Sequence, residues 1–154
     1  MLATKEDYTI YYNKQLEKAL EFQDFVADKL YNIGIPLNCY GSRKYQYEKG
    51  ESRTGIEIKF DNLIKKKGNL YIEYAEKSNP NNKSYVPSGI ERPDNTIIYC
   101  IGDYNIIYLL SKKWLQQIKT SKQLDLRHVT TATSKGYLYP VFYAKKYAIE
   151  IIKC

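Results

Sequence analysis

Residues 55–77, with the sequence GIEIKFDNLIKKKGNLYIEYAEK, contain two runs in which apolar and polar side chains alternate. The apolar positions of the two runs are Ile56, Ile58 and Phe60, then Leu70, Ile72 and Tyr74. Alternation with a period of two is typical of strands that bury one face. The short polar connection between the runs ends at Gly68-Asn69 and favours an antiparallel hairpin over a crossover. We therefore predict a hairpin whose two apolar faces meet one core.

The polar faces of this predicted hairpin should lie together on the opposite side. They collect three carboxylates and two lysines, namely Glu57, Asp61, Glu73, Lys59 and Lys77. Carboxylates on one strand face repel one another unless a cation lies among them. Mg²⁺ takes carboxylate, carbonyl and water ligands, and a lysine beside it can contact a phosphate oxygen or an activated water. Periodicity alone leaves two interpretations open: a metal site, or a solvated sheet face whose charges roughly cancel.

An aspartate at the end of one strand, a glutamate in the next strand and then a lysine resemble the PD-(D/E)xK nuclease superfamily. The runs GIEIKFD, GNLYIE, PSGI and CIGDYNIIYLLSKKWL resemble a phage and bacterial branch of it, over roughly residues 17–140. The resemblance implies a restriction-endonuclease-like or resolvase-like fold and a metal-dependent nuclease. It also implies that Asp61 and Glu73 bind Mg²⁺ or Mn²⁺, with help from Glu57 and the Tyr74 carbonyl.

The sequence departs from the superfamily at Ala75, where the pattern has a lysine two residues after the glutamate. Lys77 lies one repeat further along the same strand face, and Lys59 lies across the predicted hairpin near Glu73. Either lysine can orient the attacking water or stabilise the transition state. The resemblance therefore implies that Asp61, Glu73 and one of these two lysines are catalytic.

A helix is predicted over residues 13–33, where apolar residues recur at spacings of three and four and Gly34 is placed to end the helix. Its acidic residues form a stripe, which is also explained by an exposed face paired with lysines. In the resembled superfamily an acidic residue of the first helix often joins the metal site. We assign Glu21 to that position, ahead of Glu17.

Basic and aromatic residues interleave over residues 40–54, which otherwise have the composition of a polar loop. Cations contact phosphates and aromatic rings stack on bases. A lysine run at residues 65–67 and a Ser88-Gly89 turn are further positions at which a phosphate can bind. The candidates for nucleic-acid binding are Arg43, Lys44, Gln46, Lys65, Lys66 and Ser88. Solvated loops and a plain turn are the alternative interpretations.

Two further strands with a turn at Gly102-Asp103 are predicted over residues 96–110, and Ser111 is predicted to cap a helix that follows. Residues 143–153 fit a helix or a strand equally well. Residues 1–154 contain no linker-like stretch, so we predict a single nuclease-like domain. The predicted fold class is α/β, with a mixed, mostly antiparallel central sheet flanked by helices.

The net charge of +7 favours a polyanionic partner. A single histidine, His128, cannot supply a multi-histidine metal site, so a carboxylate-and-lysine site is the metal-dependent phosphodiesterase site that this composition permits. Three widely spaced cysteines are typical of reduced thiols in a cytosolic protein. The sequence shows no signal-peptide pattern and no apolar run of membrane length. We expect a soluble protein in the cytoplasm of a bacterial or phage-infected host cell, with no membrane partner.

The predicted function is metal-dependent hydrolysis of DNA phosphodiester bonds, on duplex, branched or single-stranded DNA. Many nucleases of this type dimerise, so the resemblance also implies a homodimer. Two alternatives stay open. A catalytically degenerate nucleic-acid-binding module on a nuclease-like fold, which Ala75 favours, predicts binding without cleavage. A phage or host protein-interaction factor predicts no salt-sensitive DNA binding.

Overall fold

Two four-stranded sheets form the framework of the chain in the computed structural model, which describes residues 5–154. The helices are α1 (Lys5–Asn32), α2 (Arg43–Lys49), α3 (Ile64–Lys67), α4 (Lys112–Ile118) and α5 (Val141–Tyr147). The strands are β1 (Ile56–Phe60), β2 (Asn69–Glu76), β3 (Val86–Pro87), β4 (Ile98–Gly102), β5 (Ile106–Ser111), β6 (Arg127–Thr130), β7 (Ser134–Pro140) and β8 (Glu150–Lys153). A short 3₁₀ helix at Gly89–Glu91 follows β3.

The first sheet has the strand order β1-β4-β5-β8, in which β1 and β4 are parallel and the other neighbours are antiparallel. The second sheet has the order β3-β2-β7-β6 and is antiparallel throughout. The predicted fold class, a single α/β domain with mostly antiparallel strands flanked by helices, is confirmed. The strands are divided between two sheets rather than joined in one.

The first sheet is buried on both faces, because α1 covers one face and the second sheet covers the other. Its central strands β4 and β5 are accordingly apolar along almost their whole length. The core beneath α1 contains Phe22, Val26, Leu30, Ile56, Ile58, Cys100, Ile107 and Leu109. The core between the sheets includes Leu70, Ile72, Tyr99, Ile101, Tyr108, Leu110, Tyr137 and Tyr139.

The hairpin predicted from β1 and β2 is wrong, because the two strands lie in different sheets. After β1, the turn of α3 and Gly68, whose φ is 70°, carry the chain across to the second sheet. Ile56 and Ile58 therefore pack beneath α1, whereas Leu70 and Ile72 pack between the sheets. Alternation identifies the polar face of a strand, but it does not identify the strand beside it. The polar side of β1 lies on the face of the first sheet turned away from α1, where Glu57 is buried and Lys59 is half exposed.

The hairpin predicted over residues 96–110 is confirmed as β4 and β5 at the centre of the first sheet. Asp103 closes its turn, since Oδ1 accepts the N–H groups of Asn105 and Ile106 at 2.8 and 3.0 Å. The capped helix that follows is confirmed as α4, with Ser111 Oγ accepting the Trp114 N–H at 3.3 Å. These elements were predictable because their signals are local.

Other predicted boundaries change. The first helix begins at Lys5, ahead of residues 13–33, and residues 40–54 contain α2 in place of a continuous loop. Residues 143–153, where helix and strand were equally compatible, contain the end of α5 and all of β8. In residues 5–154 no helix is both long and apolar enough to cross a membrane.

Candidate active site

An ion pair between a buried carboxylate and a half-exposed lysine lies on β1, at the edge of the first sheet. Glu57 is 5% exposed, and Lys59, two residues along the same strand face, places Nζ 2.6 Å from Glu57 Oε1. The Oε2 atom of Glu57 accepts a hydrogen bond from Thr96 Oγ1 at 3.2 Å. These two partners offset the cost of burying the carboxylate.

Lys59 supplies a cation that remains accessible to a ligand. Burial of the amine lowers the pKa of Lys59, but the charge and the hydrogen bond of Glu57, with Glu51 and Glu73 nearby, outweigh that effect and raise the pKa above its usual value. The side chain is 52% exposed. Lys59 can therefore contact an anion from solvent while it stays paired with Glu57.

Glu51 approaches the ion pair from the segment that precedes β1, where its Oε1 accepts a backbone N–H of β1 at 3.2 Å. Gly50, with a φ of 120°, precedes Glu51 and leaves room for Asn95, because a Cβ there would lie 1.8 Å from Asn95 Oδ1. Burial, and after it the charge of Glu57, raises the pKa of Glu51 to about 7, although Lys59 opposes the shift. Glu51 therefore titrates near neutral pH, which is uncommon for a carboxyl group.

Glu73 adds a third carboxylate from β2, in the second sheet. Its Oε1 accepts a hydrogen bond from Ser88 Oγ at 2.8 Å, and its Oε2 accepts one from Ser134 Oγ at 2.7 Å. Gly89 lies directly against this strand, with a φ of 49°, and a Cβ there would lie 2.2 Å from the Glu73 carbonyl oxygen. The two serines hold the Glu73 carboxylate in one orientation.

Tyr99, on β4, places an unpartnered hydroxyl group beside these carboxylates. Tyr99 is 2% exposed, and within the described part of the chain its hydroxyl makes no hydrogen bond. Burial, followed by the charges of Glu57 and Asp94, raises the pKa of this hydroxyl. The Glu57 carboxylate lies close to this hydroxyl and favours its protonated form. Buried polar groups are nearly always paired, so an unpaired one is unusual. The Tyr99 hydroxyl can therefore donate a hydrogen bond to a ligand.

Two adjoining cavities surround these groups. The larger, of about 340 Å³, lies between the sheets, and the residues lining it include Lys59, Asp61, Tyr71, Glu73 and Tyr99. The smaller, of about 190 Å³, is lined by Gln46, Tyr47, Glu51, Glu57, Lys59 and Arg92. Lys59 lines both cavities, and we name the two together the acidic cleft.

Asp61 lines the larger cavity, but its carboxylate is occupied by the local backbone. Oδ1 accepts the Leu63 N–H at 3.0 Å, and Oδ2 accepts the Tyr71 N–H at 3.1 Å. The first bond has the spacing of an Asx turn and begins the crossing to α3, and the second joins the end of β1 to β2. The structure thus brings Asp61 and Glu73, the two predicted metal ligands, to one cavity, with the oxygens of both already hydrogen-bonded.

No family model, curated protein or solved structure matches this chain. The chemistry of the acidic cleft is therefore inferred from its own residues.

Lys77 and Glu21 lie away from the acidic cleft. Lys77 Nζ is 4.4 Å from the centroid of the Tyr85 ring. Glu21 is exposed on α1, and α1 covers the face of the first sheet opposite to Glu57. In the described part of the chain, neither residue lines a cavity of the acidic cleft. This arrangement therefore gives no support to Lys77 as the substitute lysine or to Glu21 as a metal ligand.

The residues predicted to bind nucleic acid divide into an exposed group and an occupied group. Gln46 lines the smaller cavity. Ser88 is fully buried and its hydroxyl is taken up by Glu73, so it does not face a phosphate from solvent. The exposed group lies on α2 and α3 and consists of Arg43, Lys44, Lys65 and Lys66.

Sequence reasoning missed most of what surrounds the ion pair. Thr96, Tyr99 and Arg92 reach the cleft from segments distant in the sequence and carry no local signal. Glu57 and Lys59 did carry one. An acidic residue and a lysine two positions apart on a strand share a face, and the order acid, any residue, lysine is visible in the sequence.

The donor set of the acidic cleft fits a cation that keeps much of its water. In residues 5–154 no three His, Cys, Asp or Glu side chains are grouped as metal ligands. Mg²⁺ commonly retains several waters and takes one or two protein carboxylates. Glu51 and Glu57 line one cavity and supply two carboxylates there, of which Glu57 also pairs with Lys59 and Thr96.

Replacing Glu51 tests its raised pKa through stability. The unfolded chain releases this proton near pH 4.5 and the folded chain near pH 7, so stability falls as pH rises between these values. In EDTA, we expect Glu51→Gln to raise the free energy of unfolding at pH 8 by about 1–3 kcal/mol and to change it little at pH 4.5. Urea denaturation at both pH values measures this. Glu48→Gln, on exposed α2, is the control, and an equal gain for Glu51→Gln at both pH values would show that the pKa is not raised.

Proposed function

We propose that this protein hydrolyses phosphodiester bonds in nucleic acid, with DNA as the first substrate class and Mg²⁺ or Mn²⁺ as the cofactor. The observation that carries the proposal is the buried Glu57 carboxylate, paired with Lys59 Nζ at 2.6 Å beside Glu51 and the unpartnered Tyr99 hydroxyl. Carboxylates next to a lysine can hold a divalent cation and a phosphate oxygen at the same place.

Glu57 and Glu51 are the residues that would hold the cation, with water completing its ligands. A bound Mg²⁺ lowers the pKa of a water ligand and neutralises charge on the phosphate. Lys59 contacts a non-bridging phosphate oxygen and stabilises the negative charge that grows there in the transition state. Tyr99 donates a hydrogen bond to an oxygen of the bound ligand. In the reaction water adds to phosphorus, the bond from phosphorus to one sugar oxygen breaks, and that oxygen takes up a proton.

Glu57 and Lys59, predicted from the sequence as a helping metal ligand and a catalytic lysine, also carry a resemblance to PD-(D/E)xK nucleases. Glu57-Ile58-Lys59 has the order acid, any residue, lysine that gives the superfamily its name. With this triplet in that role, Ala75 is an ordinary strand residue, paired with Pro87 and Lys135, and no substitute lysine is needed. The net charge of +7 is also suited to a polyanionic substrate.

A second candidate function is nucleic-acid binding without cleavage. One observation favours it: the described residues contain no group of three metal-ligating side chains. A protein that binds nucleic acid without cleaving it would still need the positive charge and the exposed basic residues on α2 and α3. This candidate predicts binding that weakens with salt, whatever cation is present.

Incubation of the protein with linear, single-stranded and branched DNA and with RNA, in Mg²⁺, Mn²⁺ or EDTA, tests the proposal. We expect cleavage that requires one of the two cations. Salt-dependent binding with no cleavage of any substrate would favour the second candidate. Absence of both binding and cleavage would contradict both and favour a protein-interaction factor.

A further inference from the structure

A second concave surface lies on the face of the second sheet that points away from the first sheet. This outer groove has a volume of about 390 Å³, within the range of about 300–1,000 Å³ that is usual for small-molecule sites. The residues lining it include Leu63, Lys67, Tyr71, Arg127, Val129 and Leu138. A solvent-facing sheet surface is usually polar, so an apolar floor here indicates an occupant.

The floor of the outer groove spans three neighbouring strands. Leu138 on β7 is the register partner of Tyr71 on β2 and of Arg127 on β6. The Tyr71 ring lies close against β7, because a Cβ at Gly136 would be 2.6 Å from Tyr71 Cζ. Gly136 thus leaves room for the ring to lie along the sheet, where a flat ligand can stack on it.

The rim of the outer groove is positively charged. Lys67 and Arg127 are both exposed, and among the described side chains neither has a carboxylate within ion-pair distance. The acidic residue in the lining, Asp61, has both oxygens engaged by backbone N–H groups. An apolar floor with an unpaired cationic rim is complementary to a ligand that joins a flat ring to an anion.

The outer groove and the acidic cleft share a wall. Asp61, Leu63 and Tyr71 line both the outer groove and the larger cavity of the cleft. Thr131 also lines the groove, and its carbonyl accepts a hydrogen bond from the Tyr85 hydroxyl. Lys77 and Lys135 each lie 4.4 Å from the Tyr85 ring centroid. Cationic and aromatic groups therefore continue beyond the groove around Thr131.

We propose that the outer groove binds an unpaired nucleotide of single-stranded nucleic acid, with the base on Tyr71 and Leu138 and a phosphate on Lys67 and Arg127. The proposal rests on the nuclease function proposed above and deepens it by naming the substrate class. A base inside a duplex cannot enter a concave groove without leaving its stack. An unpaired strand that enters the groove can continue over the shared wall to Lys59. The substrate class is therefore single-stranded DNA or the unpaired strand of a flap or fork.

Fluorescence anisotropy in EDTA tests the groove without any cleavage. The probes are a fluorescein-labelled oligo(dT) and a blunt hairpin duplex of the same charge, titrated with the full chain. We expect oligo(dT) to bind more tightly than the duplex.

Arg127→Glu and Tyr71→Leu should each weaken oligo(dT) binding roughly 10-fold or more. Tyr71→Phe, which retains the ring, should restore most of that loss, and Lys18→Glu on exposed α1 is the matched charge control. Arg127→Ala should lower the slope of log Kd against log salt concentration by about one.

Equal binding by wild type, Arg127→Glu and Tyr71→Leu would overturn the groove assignment. So would an equal loss in Lys18→Glu, since it would show that net charge alone determines affinity. Tighter binding of the duplex, or binding of a partner protein in the groove with no oligo(dT) binding, would overturn it as well. Ring-dependent oligo(dT) binding without cleavage in any cation would leave the groove supported and the nuclease function refuted, so the two failures are distinguishable.

Discussion

Glu57→Gln is expected to lower the single-turnover rate of metal-dependent DNA cleavage by about 10²–10³-fold, with the fold retained. Glutamine has the same length and can still accept the hydrogen bond from Thr96, but it carries no charge to pair with Lys59 or to hold a cation. The variant also removes the charge that, after burial, raises the pKa of Glu51. Cleavage under enzyme excess, with the fold checked by circular dichroism, measures the loss.

Glu48→Gln is the matched control for this variant, because Glu48 is exposed on α2 and does not line the acidic cleft. It should cleave at the wild-type rate. Lys59→Met should reduce the rate to a similar extent as Glu57→Gln. The double variant should lose much less than the product of the two single fold reductions, because the residues act as a pair. Wild-type cleavage by Glu57→Gln would remove Glu57 from the site.

Lys112→Ala is expected to lower the free energy of unfolding by about 3–5 kcal/mol. Lys112 Nζ lies 2.9 Å from Asp94 Oδ1 and 2.6 Å from the Arg92 carbonyl oxygen. The side chains of Lys112 and Asp94 are 9% and 1% exposed. Removing the lysine leaves a buried carboxylate without its charged partner. The segment it anchors carries both Arg92 and Thr96, so cleavage should fall too.

Urea denaturation of Lys112→Ala beside Lys113→Ala measures this effect. Lys113 is exposed on the same helix, so its substitution should change stability little.

Burial raises the pKa of Asp94, but the hydrogen bond from Lys112 and those from Thr96 outweigh it, so the pKa is lowered. The stability that Asp94 contributes is therefore present above its unfolded pKa and lost as pH falls through the lowered value. Without Lys112 the carboxylate loses a hydrogen bond and a charge that favour its ionised form. The deficit of the variant should thus shrink towards pH 3, and a deficit that is constant with pH would contradict the ion-pair account.

The fold was predictable where its signals are local. Ser111 marks the start of α4, and the apolar runs around Asp103 mark a hairpin, because each depends on neighbours in the sequence. The partner of β1 depends on long-range packing. Its sequence is compatible with a hairpin to β2 and with a parallel pairing to β4, and the turn of α3 excludes the first by carrying the chain to another sheet. Alternation contains no information about that choice.

The candidate site was predictable in its chemistry and less so in its geometry. The alternation on β1 places Glu57 and Lys59 on one face, as the sequence predicted. The sequence did not predict that Glu57 on this face is buried, with Lys59, Thr96 and Tyr99 around it. Asp61 was chosen as a ligand from its position at a strand end, but that position also allows its oxygens to accept the backbone N–H groups of the following turn.

Single-turnover cleavage by Asp61→Asn and Glu57→Gln, compared side by side under the same conditions, tests the central claim most directly. The account predicts that Asp61→Asn loses some stability, because its amide cannot accept both backbone N–H groups, yet cleaves within about 10-fold of wild type, whereas Glu57→Gln falls by about 10²-fold or more. The reverse order, with Asp61→Asn inactive and Glu57→Gln active, would contradict the assignment of the site to Glu57 and Lys59.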